Sequence, residues 1–286
     1  MRALREYSLQ DWARLRPITH AYKTAIYRAE TAHYVRRKVE ASEALVARLR
    51  ARNRPTLVVT IAYEAPWVIE LQVAAAQRYF KDVEFLVCDN SKRDENAAKI
   101  AEICRDAQIE YLRLPSNPKM AGSRSHALAV NWAYRNLVCA AKPACFAFLD
   151  HDLIPTAAVS FPDLVEHQPF YGRLRRVDNL WFLWAGFCVF DERYCKAPLL
   201  DFSQDWFNGL DTGGANYRRV YRHFDRDTLC FADHVFQDVA DPLTGQKVLV
   251  DLVDGWIHFN NVGGWNEEKL LEPDLLKRIL TSLTSK

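Results

Sequence analysis

Two carboxylates two residues apart, Asp150 and Asp152, follow an apolar stretch with the sequence FAFL. Such a run is typical of a buried strand, and residues i and i+2 of an extended chain point to the same face. Two carboxylates on one face need a compensating charge, which a hard divalent cation such as Mg²⁺ or Mn²⁺ supplies while it also holds phosphate oxygens. His151, between them, is expected to point to the opposite face. The pattern predicts a metal and phosphate site, with a solvated surface turn as the alternative.

Two further side chains could contribute to such a site, Asp89 to nucleotide recognition and His258 to metal binding. Asp89 ends a second apolar stretch, and a carboxylate there can accept hydrogen bonds from a nucleobase or ribose, or can cap the following helix. Both roles stay open on residue type alone. His258 lies in an apolar run beside Phe259, where a neutral imidazole would be a third metal ligand or a histidine satisfied within the core.

The elements that position these residues follow from the pattern of apolar residues. Helices are predicted from Pro66, from a capping box at Ser91 and Asp94, and over residues 120–141. Between them lie predicted strands over residues 56–62, 83–88, 109–114 and 144–149. This alternation is typical of an α/β fold with a doubly wound, mostly parallel sheet, in which ligands bind beyond the carboxyl ends of the strands. Chemistry is therefore expected directly after each strand.

The first 54 residues differ from the rest in charge. They contain thirteen Lys or Arg and five Asp or Glu, although the whole chain of 286 residues has a net charge of only +2. Their apolar residues recur at helical spacing, and Pro17 separates two predicted helical pieces. We expect this basic helical extension to contact an anionic membrane surface or a second subunit, with a solvated helix face as the alternative.

Composition is that of a globular protein, with 49% hydrophobic and 26% charged residues, and the small net charge does not favour nucleic-acid binding. Seven cysteines, an odd number without CxxC spacing, favour reduced thiols and a cytoplasmic location. The first 20 residues lack the apolar core of a signal peptide, and the longest apolar run, 180–190, is well short of the ~20 residues that span a bilayer. The chain is therefore predicted to be soluble, or at most peripheral on a membrane.

Several segments in order along residues 56–265 resemble the GT-A fold, specifically glycosyltransferase family 2 and its relatives. TIAYE resembles the opening strand motif, VCDNS resembles the motif whose acid meets the nucleobase, and FAFLDHD resembles the strand that ends in the metal-binding DxD. NPKMAGSRSHALAVNWA resembles a more compact Asn-Gly-Ala-Asn pattern of the family. FNGLDTGG resembles the segment with the catalytic base, although Leu210 replaces the usual Glu, and WIHFNNVGGW resembles a late loop with a metal-binding histidine.

The resemblance implies a GT-A domain over residues 55–273, between the extension 1–54 and a C-terminal helix or tail 274–286. It implies metal-dependent, inverting transfer of a sugar from a nucleoside diphosphate sugar, UDP-sugar favoured, to a hydroxyl of a glycan, a lipid-linked acceptor or a small molecule. Asp211 is the expected base, with Asp205 and Asp191 as rivals, and Asp150, Asp152 and His258 are the expected ligands of Mn²⁺ or Mg²⁺. The expected donor-binding residues are Ala62, Tyr63, Glu64, Asp89, Asn117, Gly122, Arg124, Asp150 and His151.

Two other interpretations are kept. A catalytically degenerate sugar-binding or scaffold protein would account for the missing Glu at position 210. A nucleotidyltransferase on a related sheet would carry a Gly-rich, basic phosphate loop after its first strand, whereas this chain has AYEAPW there. Donor hydrolysis would separate an enzyme from a scaffold.

Overall fold

A twisted sheet of six strands forms the centre of the molecule. The computed structural model describes residues 4, 7–119, 122–197, 199–259, 262 and 272–284. The strands of these residues are β1 (Thr56–Ala62), β2 (Val83–Asp89), β3 (Glu110–Arg113), β4 (Cys145–Asp150), β5 (Leu153–Ile154), β6 (Phe170–Val177), β7 (Leu180–Asp191), β8 (His234–Ala240), β9 (Lys247–Val253) and β10 (Trp256–His258).

The central sheet has the strand order β3-β2-β1-β4-β7-β6. Its first four strands are parallel, and β7 and β6 are antiparallel additions at the edge. The order 3-2-1-4 is that of a doubly wound sheet, in which the direction of winding reverses between β1 and β4 and leaves a crevice at their carboxyl ends. The predicted α/β fold class is confirmed, and all four predicted strands are present.

The helices of the described residues are α1 (Leu9–Ala13), α2 (Arg16–Val35), α3 (Glu40–Arg52), α4 (Pro66–Tyr79), α5 (Asp94–Asp106), α6 (Gly122–Ala133), α7 (Cys139–Ala141), α8 (Phe161–Leu164), α9 (Arg193–Lys196), α10 (Asn216–Arg219) and α11 (Pro273–Thr284). A π-helical turn, Tyr134–Val138, joins α6 to α7. Among the described residues, every helix is too short or too polar to span a bilayer.

Both faces of the sheet are covered, which explains why β1 is buried along its whole length. Leu57 and Val59 of β1 face the apolar cluster that contains Leu128 of α6. Val58 faces the opposite cluster, which contains Ile100 of α5. Each fully buried side chain of this kind contributes about 1.5–3 kcal/mol of hydrophobic free energy. The two layers hold the carboxyl ends of β1 and β4 at fixed positions.

The N-terminal extension is helical, as predicted, and Pro17 lies in the first turn of α2. It packs into the main core, because Tyr34 and Leu45 belong to the same apolar cluster as β1 and α6. The hydroxyl of Tyr34 donates to the carbonyl of Pro115 at 2.8 Å. The extension is thus fixed against the loop that follows β3.

A second, smaller sheet has the order β5-β10-β9-β8, and its paired strands are antiparallel. The C-terminal segment predicted as helix or tail is the helix α11, whose Leu276 and Ile279 pack with Val248 and Ile257 of this sheet. Residues 285 and 286 lie outside the described residues. The second sheet matters for the site, because it brings β10 beside the turn that follows β4.

Candidate active site

The three predicted metal ligands lie together at the carboxyl end of β4. Asp150 ends β4, Asp152 follows in the turn, and antiparallel pairing with β5 sets His258 opposite Leu153. One ligand atom from each of the three residues lies within 4.8 Å of the other two. The buried amide of Gln72 holds the turn, donating to the carbonyls of Asp150 at 2.7 Å and Leu153 at 3.0 Å. Pairing between sheet segments a hundred residues apart thus assembles the cluster.

A buried carboxylate orients His258. Asp251 of β9 is 1% exposed, and its Oδ2 lies 2.9 Å from Nδ1 of His258. Nε2 of the imidazole lies 3.5 Å from Oδ1 of Asp152. Burial lowers the pKa of His258, but Asp152 and Asp251 outweigh it and raise that pKa to about 9. Metal-binding histidines are commonly oriented in this way: one ring nitrogen contacts a carboxylate, and the other ring nitrogen faces the metal position.

The carboxyl groups of Asp150 and Asp152 lie close together, an arrangement that a bound cation would stabilise. Burial raises the pKa of Asp150, and the neighbouring Asp152 raises it further, although His126 opposes this with Nε2 at 3.3 Å from Oδ1 of Asp150. Burial also acts to raise the pKa of Asp152, but His258 outweighs it and the net shift is downward. Two carboxylate groups and one imidazole form a donor set suited to a divalent ion such as Mn²⁺ or Mg²⁺.

A cavity of about 440 Å³ opens over this cluster. Tyr63 and Asn90, which follow β1 and β2, line it on one side, and Trp184 of β7 lines it on another. Gly186 makes this geometry possible, because a Cβ there would lie 2.2 Å from the Trp184 ring and 2.6 Å from Cγ of Asp150. The volume is in the range of small-molecule sites.

Four of the predicted donor-binding residues line this cavity: Tyr63, Gly122, Asp150 and His151. His151 thus lines the same cavity as Asp152 and does not face away from it as expected, because residues 151 and 152 form a turn after β4 and do not continue the strand. Nδ1 of His151 accepts a hydrogen bond from the backbone N–H of Tyr63 at 3.1 Å, which ties the end of β1 to the end of β4. Gly122 begins α6 at φ +77°, a conformation that favours glycine. These residues form the rim around Asp150, Asp152 and His258.

Asp89 is fully buried beneath the crevice. Its Oδ1 accepts from the N–H of Ser91 at 2.8 Å, and its Oδ2 accepts from the hydroxyl of Tyr111 at 2.8 Å. Arg113 lies 3.6 Å from the same carboxylate. Recognition of a nucleobase by Asp89 stays a prediction, and the contacts described here fix the start of the loop after β2.

The capping box predicted at Ser91 is wrong. α5 begins at Asp94 without a side-chain cap, and the hydroxyl of Ser91 accepts from the N–H of Glu64 at 2.9 Å. Glu64 takes the capping role from a distance, since its carboxylate accepts from the N–H groups of Lys92 and Arg93 at 2.5 Å and 3.0 Å. A sequence pattern detects only local caps, whereas this carboxylate comes from the end of β1.

The other predicted donor-binding residues do not line the cavity within the described part of the chain. Ala62 is buried in β1, and Asn117 donates to Oδ1 of Asn90 at 3.0 Å and so supports a lining residue. Arg124 points to the extension, donating to the carbonyl of Tyr27 at 2.8 Å. Donor contacts by these residues stay predictions, and the observed contacts give Arg124 a role in holding α2.

Asp211 lines the cavity, and the two rival carboxylates do not. Its Oδ1 accepts from Nε2 of Gln204 at 3.2 Å and from the N–H of Thr212 at 2.8 Å. Burial raises its pKa, but hydrogen bonds, foremost that of Ser123, outweigh burial and the net shift is downward. Asp205 lines a different cavity. Asp191 pairs with Cys145 at the opposite end of β4.

Sequence reasoning missed several residues of the site: His126, Arg173, Arg175 and Asp251. Arg173 is 4% exposed, donates to Oδ2 of Asp251 at 2.7 Å and lies over the Trp184 ring at 5.0 Å. Two signals were available: arginines at i and i+2 of β6, which share a face, and an acid inside the apolar run of β9. Neither signal shows from the sequence that Arg173 and Asp251 contact each other.

Comparisons with known proteins give similarity in structure only. No protein-family model and no curated protein matches the chain in sequence. A mannosyltransferase from Pyrobaculum calidifontis, in complex with GDP-Man and Mn²⁺, matches with a TM-score of 0.43 and 13% identity over 72% of this chain and 67% of that chain.

Two further solved structures are similar to the chain. Glucosyl-3-phosphoglycerate synthase from Mycobacterium tuberculosis, in complex with Mn²⁺, UDP and glucosyl-3-phosphoglycerate, has a TM-score of 0.40 and 15% identity over 65% of this chain and 72% of that chain. The apo form of the glycosyltransferase GlyE from Streptococcus pneumoniae has a TM-score of 0.38 and 11% identity over 62% and 44%. Each of these three likenesses has a TM-score below 0.5 and at most 15% identity.

Proposed function

We propose that this protein is a metal-dependent glycosyltransferase that moves a sugar from a nucleoside diphosphate sugar to a hydroxyl acceptor. One observation carries the proposal: Asp150, Asp152 and His258 converge where the sheet reverses its winding, in a cavity that Asp211 also lines. Ligand sites of doubly wound sheets lie at this place. The cavity thus combines groups for a metal and a diphosphate with a separate carboxylate.

Asp150, Asp152 and His258 would hold Mn²⁺ or Mg²⁺, which when bound neutralises the charge that develops on a departing diphosphate. The side chains of His126 and Arg175 line the same cavity and can donate hydrogen bonds to phosphate oxygens. Asp251 and Arg173 support this group from beneath, since they fix the orientation of His258 and Trp184.

Asp211 would accept the proton of the acceptor hydroxyl. Its lowered pKa keeps the carboxylate ionised at neutral pH, and Gln204 and the N–H of Thr212 hold its orientation. Attack by the hydroxyl on the anomeric carbon from the side opposite the diphosphate gives inversion in one displacement. The proton passes to Asp211, and the electron pair of the broken bond leaves with the diphosphate.

The donor would be a UDP-sugar, with its base in the crevice after β1 and β2 next to Tyr63. Asp89 underlies this crevice. Asp89→Ala should raise the dissociation constant for UDP in calorimetry if the carboxylate recognises the base. A loss of thermal stability with unchanged UDP affinity would assign Asp89 a purely structural role.

Calorimetry with UDP and GDP, with and without Mn²⁺, tests the proposal. Binding should require the metal, and Asp152→Asn should abolish the metal-dependent part while the fold is retained. Asp106→Asn, at an exposed position at the end of α5, is the matched control. At 100 times its dissociation constant, the nucleotide should also stabilise the protein by about 2.7 kcal/mol. Equal binding in EDTA would contradict the metal hypothesis.

A degenerate binding protein is the second candidate, and Leu210 is the observation that favours it, since the acid usual beside Asp211 is absent. Metal-dependent nucleotide binding without donor hydrolysis or transfer would favour this candidate. A nucleotidyltransferase would instead release pyrophosphate from a nucleoside triphosphate.

The extension has a separate role in this proposal, which is contact with an anionic membrane surface. Seven of the twelve exposed large apolar side chains in the described part of the chain lie at or before Ile26. Leu15, Ile18 and Tyr22, each between 59% and 67% exposed, follow one another at helical spacing with Ile26. An apolar helix face of this kind is typical of interfacial helices.

The distribution of charge favours a membrane surface over a second copy of the chain. Residues 1–38 contain nine Lys or Arg and three Asp or Glu, whereas the rest of the chain contains 29 and 33. An anionic bilayer attracts the basic end and repels the acidic body, which orients the molecule. Two copies that meet through this face would bring like charges together.

A further inference from the structure

A second cavity, of about 510 Å³, lies where the extension meets the body of the protein. α2 forms one wall, and the end of α6 with the following π-helical turn forms another. The segment 200–219, which includes α10, closes the third side. None of the residues assigned to the metal cluster lines this cavity, so it is separate from the site described above.

Arginine is the most frequent residue type in the lining of this cavity. Five of them, Arg28, Arg36, Arg135, Arg218 and Arg219, face two carboxylates, Asp201 and Asp205. Nη2 of Arg219 lies 3.0 Å from Oδ2 of Asp201, and Nε of Arg218 lies 3.8 Å from Oδ2 of Asp205.

The remaining three, Arg28, Arg36 and Arg135, have no carboxylate within ion-pair distance among the residues that the structure describes. They leave an excess of three positive charges around a concave surface.

The rest of the lining suits a small molecule that carries such a charge. Thr24, Ser203 and Gln204 contribute hydroxyl and amide groups, and Tyr27 and Phe207 contribute aromatic surface. Guanidinium groups match phosphate in shape and donate two parallel hydrogen bonds to it. Volume, polar groups and aromatic walls together are those of a ligand site.

The segment 200–204 connects this cavity to the active site. Asn131 holds it, because its Oδ1 accepts from the N–H of Phe202 at 3.0 Å. Gln204 lines the second cavity and donates to Asp211, which lines the first. A ligand in the second cavity is therefore separated from the carboxylate of Asp211 by one side chain.

We infer that this cavity binds a small phosphorylated molecule through Arg28, Arg36 and Arg135. Inorganic pyrophosphate is the probe, and it is titrated calorimetrically into the full chain in EDTA. Without metal, the proposed active site should not bind the diphosphate. Wild-type protein should bind it, and the double variant Arg36→Gln, Arg135→Gln should bind at least about tenfold more weakly, since charged hydrogen bonds are lost.

The matched control is Arg14→Gln, Arg176→Gln, which removes the same charge at exposed positions outside both cavities. It should keep the wild-type affinity at the same ionic strength. Absence of pyrophosphate binding by the wild type, or an equal loss in the control, would overturn the inference. If Arg175→Gln weakened pyrophosphate binding and the Arg36, Arg135 double variant did not, the anion would belong to the active site, and this result would also overturn the inference. Because metal is absent throughout, the result is independent of the proposed transferase activity.

Discussion

Replacing Asp251 by Asn tests whether the buried network beneath the cavity sets metal affinity. Oδ2 of Asp251 lies 2.9 Å from Nδ1 of His258 and 2.7 Å from Nη1 of Arg173. Asn keeps the shape of the side chain but removes the charge that both neighbours use. His258 then loses the negative charge of the partner that fixes its orientation toward Asp152.

The expected effect on metal binding is about 10–100-fold, the usual worth of a group that orients a metal ligand. This corresponds to about 1.4–2.7 kcal/mol. Stability should fall too, because the Arg173 guanidinium is 4% exposed and would lack its anionic partner. Complete removal of one partner from a buried pair costs about 3–5 kcal/mol, and the amide oxygen of Asn should reduce that loss.

Two measurements separate these effects. Calorimetric titration with Mn²⁺ gives the affinity, and thermal unfolding in EDTA gives the stability without metal. His234→Gln is the control, because Nε2 of His234 lies 2.6 Å from the other oxygen of Asp251 and does not hold His258. It should affect stability more than Mn²⁺ affinity. A folded Asp251→Asn protein that binds Mn²⁺ within twofold of wild type would refute the reasoning.

Three further predictions concern the base, the extension and pH. Asp211→Asn should reduce transfer by about 10²–10⁴-fold with nucleotide and metal binding near wild type, and normal transfer by this variant with loss in Asp205→Asn would move the base to Asp205. Leu15→Ser, Ile18→Ser, Tyr22→Ser should abolish co-sedimentation with anionic vesicles, whereas the equally exposed control set Val235→Ser, Phe236→Ser, Leu249→Ser should not; self-association lost in the first set would indicate a subunit interface instead. Arg278 holds the pKa of Asp241 well below its usual value through two hydrogen bonds of 2.8 Å, so this pair stabilises the fold above the ordinary carboxyl pKa of about 4, and the stabilisation is lost as pH falls through the lower folded pKa. The melting temperatures of wild type and Arg278→Met should therefore differ at pH 7 and converge in acid.

Local patterns were enough to predict the framework of the fold. Residues 56–62 are a strand in both descriptions, because a β-rich apolar run ended by turn residues has few other stable conformations. The alternation of strand and helix then determines a parallel sheet, and a parallel sheet places strand ends together. Asp150 and Asp152 could therefore be assigned to the site from sequence, since their position depends only on the end of one strand.

Contacts between distant segments were decided only by the tertiary structure. The position of His258 beside Asp152 depends on the pairing of β10 with β5, and its orientation depends on Asp251 of a third strand. No local pattern specifies these contacts, because strand register across a hundred residues is set by the packing of whole sheets. The same holds for Asp211 and Asp205, which are six positions apart in one loop. Only the path of that loop directs Asp211 to the cavity over Asp150, Asp152 and His258, and Asp205 to the arginine-lined one.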